Sequence, residues 1–230
     1  MDRTPVADQP LSVVVPAYQA TAVLPSLMAD LRSVLDKLKR ANEVIVVDDA
    51  SSDGSSDWLR RQADSWPSLR VTYLDKHQGQ GVALRTGLGL AEHPLVFTLP
   101  AIAGFAPVVL HDFLKLIDQV DIVVGQRSGV SHWAWLRSSA WWLYGLSVRD
   151  PHCPVRLYRR DALMRFPLQS ASAFVHLEIL AKANFLGLFM AECPMEGPLD
   201  ATVPGEPARA ADQQALLRRP VFAMPTAVVN

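Results

Sequence analysis

Residues 43–55 read EVIVVDDASSDGS, and this stretch decides the fold. Val44–Val47 is an unbroken apolar, largely β-branched run closed by Asp48 and Asp49, the pattern of a strand buried on both faces. Upstream, Leu11–Val15 (LSVVV) is a second such run, and Leu69–Leu74, Pro94–Leu99 and Asp121–Gly125 supply three more. Between the first two, Leu24, Leu27, Met28, Leu31, Val34, Leu35 and Leu38 recur at three-and-four spacing, which makes one apolar stripe on a helix. Ser55–Ala63, Gly81–Ala91 and Val108–Gln119 read as further helices. Strands alternating with helices predict an α/β domain with a mainly parallel sheet covered on both faces, because parallel neighbours need a crossover. Further on, Phe174–Phe185 reads as a helix and Leu188–Cys193 as a strand.

Composition agrees with one globular domain. The chain has 230 residues, 50% of them hydrophobic, and a net charge of −1, which excludes intrinsic disorder and the basic excess of a general nucleic-acid binder. Two cysteines, Cys153 and Cys193, are too few for a disulfide framework, so a cytoplasmic location is expected. They read as small core residues. The opening segment MDRTPVADQP has no apolar stretch of a signal peptide, and no run approaches the roughly 20 residues of a membrane-spanning helix.

In parallel sheets ligands sit outside the carboxyl ends of the strands. The segments after the strands are therefore the candidate site: Pro16-Ala17-Tyr18-Gln19, Asp48–Ser55, Asp75–Gly81 and Pro100-Ala101-Ile102. Paired carboxylates ending a buried strand are costly unless solvated or used. Asp48 and Asp49 fit hydrogen bonding to a base or ribose, and they equally fit a turn that caps the next helix.

From residue 127 the character changes. Segment 127–165 holds seven arginines against Asp150 and Asp161, an excess of five positive charges, and four of the chain's six tryptophans fall between 133 and 142. Residues 132–147 suit an interfacial helix on a membrane surface with Arg137 and Arg149 nearby, or a core or homodimer-interface helix. His132 and His152 have no further ligands at metal-binding spacing. The segment beyond Gly197 reads as loosely packed, with a turn of helix near Gln213–Arg219.

Five segments in order resemble family 2 glycosyltransferases. They are LSVVVPAYQA followed by EVIVVDDASSDGS, HQGQGVALRTGL, DIVVGQR, DPHCPVRLYRRDAL, and FVHLEILAKANFLGLFMAECPM. The resemblance spans residues 10–196, between a tail of 1–9 and another of 197–230, and has most in common with polyprenyl-phosphate mannosyl- and glucosyltransferases. It implies a GT-A fold and a nucleotide-sugar donor, UDP- or GDP-linked, with a lipid phosphate as acceptor at the cytoplasmic membrane face. By position, Pro16 and Tyr18 border the nucleoside and Asp49 reads the base beside Asp48. Gly79, Gly81 and Arg85 belong to the donor loop, while Arg127, Asp150 and Arg156 line the acceptor end.

One departure stands out. The family carries Asp-x-Asp after the fourth strand to hold Mg or Mn, and here Pro100 and Ile102 occupy those places, with no carboxylate between Glu92 and Asp112. A hard cation lacks its oxygen pair. Gln80 also replaces the lysine of the glycine loop, and Pro154-Val155 replaces Gly-Phe. The expected function is a family 2-like protein that binds nucleotide sugar with weak or no turnover. An active, metal-independent inverting transferase using arginines such as Arg156, Arg159 and Arg160 is one alternative, and a non-catalytic membrane-surface adaptor is another.

Overall fold

The computed structural model describes residues 9–102, 106–128, 143–196 and 209–222. The expected α/β alternation is present. β1 (Leu11–Ala17), α1 (Leu24–Leu38), β2 (Asn42–Asp48), α2 (Ser55–Ser65), β3 (Leu69–Tyr73), α3 (Gln80–Leu90) and β4 (Leu95–Thr98) follow in turn. A 3-10 turn (Pro107–Val109) leads into α4 (Leu110–Leu116), and then come β5 (Ile122–Arg127), β6 (Arg156–Arg159), α5 (Arg160–Leu163), α6 (Val175–Phe185), β7 (Met190–Met195) and α7 (Arg209–Arg218).

The strands form one seven-stranded sheet in the order β3-β2-β1-β4-β6-β5-β7. Every pairing is parallel except those of β6, which runs antiparallel to β4 and β5. Val14, Thr98, Arg156, Val124 and Glu192 share one row across the sheet. Beyond that row, on the carboxyl side, lie Pro16–Tyr18, Asp48–Asp49, Leu99–Ile102, Arg127 and the loop 150–155. The register thus gathers most of the expected site residues on one edge.

The pairing also opens a crevice there. β1 pairs with β2 from Leu11 to Ala17, but with β4 only from Leu11 to Val14. Past Val14 the strands part on the β4 side, where sequence order reverses about β1, and that is where α/β sheets place ligands. Pro16 falls in this stretch, where a missing backbone N–H costs no β1–β4 ladder bond.

The core is the apolar interior expected of a doubly covered sheet. The runs of β1, β2, β4 and β5 are fully buried, and α1 buries Leu24, Leu27, Met28, Leu31, Val34 and Leu35 as its spacing predicts. α3 packs on β1 and β2, α2 on β3, and α4 on β6 and β7. Two expectations change. Helix α4 ends at Leu116 rather than Gln119, and the last helix is a ten-residue element, Arg209–Arg218, with Leu216 buried.

The amino edge carries its own polar knot. Glu43 accepts from the Ser12 hydroxyl (2.6 Å), the Glu92 amide (2.8 Å) and Arg70 (3.0 Å). Burial pushes its carboxyl up, but these donors outweigh burial and hold it below the ordinary glutamate range. A depressed carboxyl lends stability that is fully present above the unfolded value of about 4.3 and lost as pH falls through the lower folded value. Urea unfolding followed from about pH 6 to about pH 3 should therefore show the midpoint falling across that window. In Glu43→Gln the stability should start about 1–2 kcal/mol lower and depend less on pH.

Candidate active site

Asp49 closes β2 and organises the crevice. Its carboxylate is 2% exposed and accepts from the Gln78 amide (2.7 Å) and the Gly79 amide (2.8 Å), with His77 Nδ1 2.9 Å from Oδ2. The group expected to read a base therefore ties the end of β2 to the loop after β3. Two backbone N–H donors on an ionised acceptor are among the stronger hydrogen bonds available to it. His77 in turn stacks on Tyr18, with ring centroids 3.9 Å apart and planes inclined by 22°. The half-buried Tyr18–His77 pair stands in the crevice wall as a flat aromatic surface.

Asp48 takes the turn role that the sequence left open. Its carboxylate accepts from the Ser51 amide (3.2 Å) and the Ser56 hydroxyl, and it is wholly buried. Asp53 extends the lacing: it accepts from the Thr21 amide (2.9 Å) and from the Ser55 amide (3.0 Å) and hydroxyl (2.6 Å). Burial raises its carboxyl, but these donors together outweigh burial and hold it below the usual aspartate range. Gln19, at φ 49°, bridges from the other side, its amide to Ser51 Oγ (2.9 Å) and its Nε2 to Ser52 Oγ (3.0 Å). The loops after β1, β2 and β3 are thus one hydrogen-bonded unit.

Gly79 and Gly81 serve close packing. A Cβ on Gly79, at φ +98°, would stand 2.6 Å from the Ala171 carbonyl, and one on Gly81 2.4 Å from the Ser170 carbonyl. The Gly81 amide donates to that Ala171 carbonyl at 2.7 Å. Arg85 lies one turn along α3 and donates to the Leu168 carbonyl (3.1 Å). The facing segment is itself braced by a buried ion pair on α6, Lys182 to Glu178 at 2.6 Å. Glu178 also accepts the amides of Gln169 and Ser170, and Lys182 donates to the Pro167 carbonyl. This brace was not anticipated; the available signal was a Glu-x-x-x-Lys spacing inside an otherwise apolar helix.

The arginines separate into different tasks. Arg127 and Asp150, both expected to line the acceptor end, form a two-pronged pair with Nε–Oδ2 2.6 Å and a second bond of 2.8 Å, while the Arg127 amide also donates to Asp150 (3.3 Å). Arg156 is corrected. It is fully buried and spends its guanidinium on the carbonyls of Cys153 (2.9 Å), His176 (2.6 Å) and Pro151 (2.8 Å), so it shapes the loop 150–155 rather than facing a phosphate. Arg159 and Arg160 are corrected as well: the antiparallel run of β6 pairs Arg159 with Leu95, at the amino end of β4. They bond carbonyls there, Arg159 those of Val120 and Ile117 and Arg160 that of Ala91. Burial pushes the Cys153 thiol up to about 12, aided by Asp150, so it is an inert core group.

The residues after β4 do not suit a divalent cation. Pro100 is buried, and Ala101 and Ile102 pack against the core. These positions offer apolar side chains where a hard cation takes carboxylate oxygens. Among the described residues no cluster of three His, Cys, Asp or Glu side chains has metal-binding geometry. The tryptophans at 133, 135, 141 and 142 lie outside the described residues.

The comparisons with known proteins agree with this geometry. The fold is GT-A: glucosyl-3-phosphoglycerate synthase from Mycobacterium tuberculosis, solved with Mn2+, UDP and phosphoglyceric acid, superposes with a TM-score of 0.72 at 19% identity, covering 94% of this chain and 77% of that one. Mannosyl-3-phosphoglycerate synthase from Rubrobacter xylanophilus gives 0.69 at 15% identity, over 81% and 66%. The Glycosyl transferase family 2 model matches residues 12–166, and the chain belongs to that family.

Two curated relatives refine the neighbourhood. An undecaprenyl-phosphate 4-deoxy-4-formamido-L-arabinose transferase of Aeromonas hydrophila is 33% identical over 162 residues, 66% of this chain and 50% of that protein. An undecaprenyl-phosphate mannosyltransferase of Micrococcus luteus is 27% identical over 172 residues, covering 68% and 69%. The chain spans about half the length of the arabinose transferases it matches. Among the described residues no helix is long and apolar enough to cross a membrane.

The glycine packing is directly testable. Gly81→Ala should cost about 1–3 kcal/mol, since its Cβ meets backbone carbonyl. Gly89→Ala on the same helix, with nothing within 4 Å of its Cβ, should be neutral or gain up to about 1 kcal/mol. Thermal or urea unfolding of the pair measures both.

Proposed function

We propose that this protein binds a nucleoside diphosphate sugar in the crevice between β1 and β4 and passes the sugar slowly to a polyprenyl phosphate, without a metal held by paired carboxylates. The observation that carries the reading is the contrast along one edge. The loops after β1, β2 and β3 are fully laced around the Tyr18–His77 stack, while the position after β4 is apolar. The stack offers a face for the base, beside Pro16, and the glycine loop follows His77 on the same carboxyl edge of the sheet.

The acceptor assignment draws on the undecaprenyl-phosphate transferases among its relatives. A lipid phosphate is already an anion at neutral pH and needs no general base. Its oxygen attacks the anomeric carbon, the bond from that carbon to the diphosphate breaks with inversion, and the nucleoside diphosphate leaves. Charge on that leaving group is the difficulty. Arg127 is neutralised by Asp150 and Arg156 is buried on carbonyls, so neither replaces a cation. Metal stabilisation of such charge is worth several kcal/mol, and each ~1.4 kcal/mol is tenfold, so turnover on the order of a thousandfold below a metal-assisted transferase is expected. The tryptophans of 133–142, with Arg137 and Arg149 nearby in sequence, suit contact with an anionic membrane surface.

Transfer of labelled sugar from UDP- and GDP-linked donors to undecaprenyl phosphate tests the reading. Slow product formation, equal with EDTA and with manganese, is expected. Transfer that appears only with manganese would overturn the metal-free part. No transfer in a protein that binds a donor would reduce the function to nucleotide-sugar binding.

A further inference from the structure

Helix α7 lies beyond the stretch that matches the family, yet its one carboxylate reaches the segment packed against the glycine loop. Asp212 Oδ2 accepts from the Ser172 hydroxyl (2.6 Å), the Ser172 amide (2.9 Å) and the Ala171 amide (3.2 Å). Ala171 therefore turns its N–H to α7 and its carbonyl to the glycine loop, where that carbonyl takes the Gly81 amide at 2.7 Å. The same carbonyl leaves no room for a Cβ on Gly79, whose amide is held in turn by Asp49. A continuous line of contacts joins α7 to the end of β2.

We propose that Asp212 is a positioning residue for the donor loop: through Ala171 and Ser172 it sets Gly79–Gly81, and so donor affinity depends on α7. This rests on the reading of the crevice as the donor site. Two features make the coupling specific. Segment 169–172 is held in halves, Gln169 and Ser170 by Glu178 and Ala171 and Ser172 by Asp212, so loss of Asp212 releases Ala171, whose carbonyl takes the Gly81 amide, and leaves Gln169 and Ser170 held. And the loop has no slack, since both glycines already sit at closest approach, so a shift of Ala171 is passed on rather than absorbed. α7 keeps other anchors: the buried Leu216, and just beyond its end Gln169, whose Nε2 donates to the Arg219 carbonyl and whose Oε1 accepts from the Val221 amide. Asp212 variants therefore retain a docked helix.

The test compares Asp212→Ala, Asp212→Asn and, as a control on the same helix, the exposed Leu217→Ala. Amide hydrogen exchange is read at Gly81 and at Val14 and Val46, and affinity is titrated with UDP and with GDP. In Asp212→Ala the Gly81 amide should exchange at least about tenfold faster with Val14 and Val46 unchanged, and the Kd should rise about tenfold. Asp212→Asn, which keeps one accepting oxygen, should fall between, and Leu217→Ala should match the wild type. Unchanged exchange at Gly81, or faster exchange spread equally over the strands, would overturn the proposal. If the wild type binds neither UDP nor GDP, the donor reading fails, and a Gly81 amide that stays protected in Asp212→Ala would still overturn the latch.

Discussion

The carboxylate of Asp49 is the joint on which the functional edge depends. It ends a strand buried on both faces, where an unsatisfied charge would cost several kcal/mol. The backbone amides of Gln78 and Gly79 satisfy it, with His77 Nδ1 2.9 Å away, and in doing so they fix the entrance to α3. His77 is set against Tyr18, and Gly79 and Gly81 are set against residues 170 and 171. The crevice is therefore a shape made by satisfying one buried charge. The segment packed against the glycine loop depends in turn on a buried ion pair, Glu178–Lys182, which holds it through backbone amides.

Much of this edge was legible before any coordinates. The apolar runs and the three-and-four spacing of α1 predicted the parallel sheet, and five segments in order pointed to the family. The identity of the edge residues was legible too, but their tasks were not. Asp49 looks the same in sequence whether it accepts from a base or from two loop amides. Arg156 is one arginine in a basic run, and only the folding of loop 150–155 around it turns it into a buried strut with three carbonyl partners. Arg159 and Arg160 were misplaced for a topological reason: β6 is too short and too charged to read as a strand, and its reversed direction carries them to the opposite end of the sheet. α7 was underestimated because its amphipathic signal is weak, with Leu216 its only buried apolar side chain among the described residues.

The same edge is uneven in character. After β4, Pro100 is buried and Ala101 and Ile102 pack against the apolar interior. The loops after β1, β2 and β3 are instead polar and joined by hydrogen bonds.

Calorimetric titration of the protein with UDP and with GDP, each in manganese and in EDTA, decides whether the crevice takes a nucleoside diphosphate without a divalent cation. Metal-free binding of one of the two, with the same affinity in both conditions, is expected. Affinity that appears only in manganese, or that falls by tenfold or more in EDTA, would contradict it.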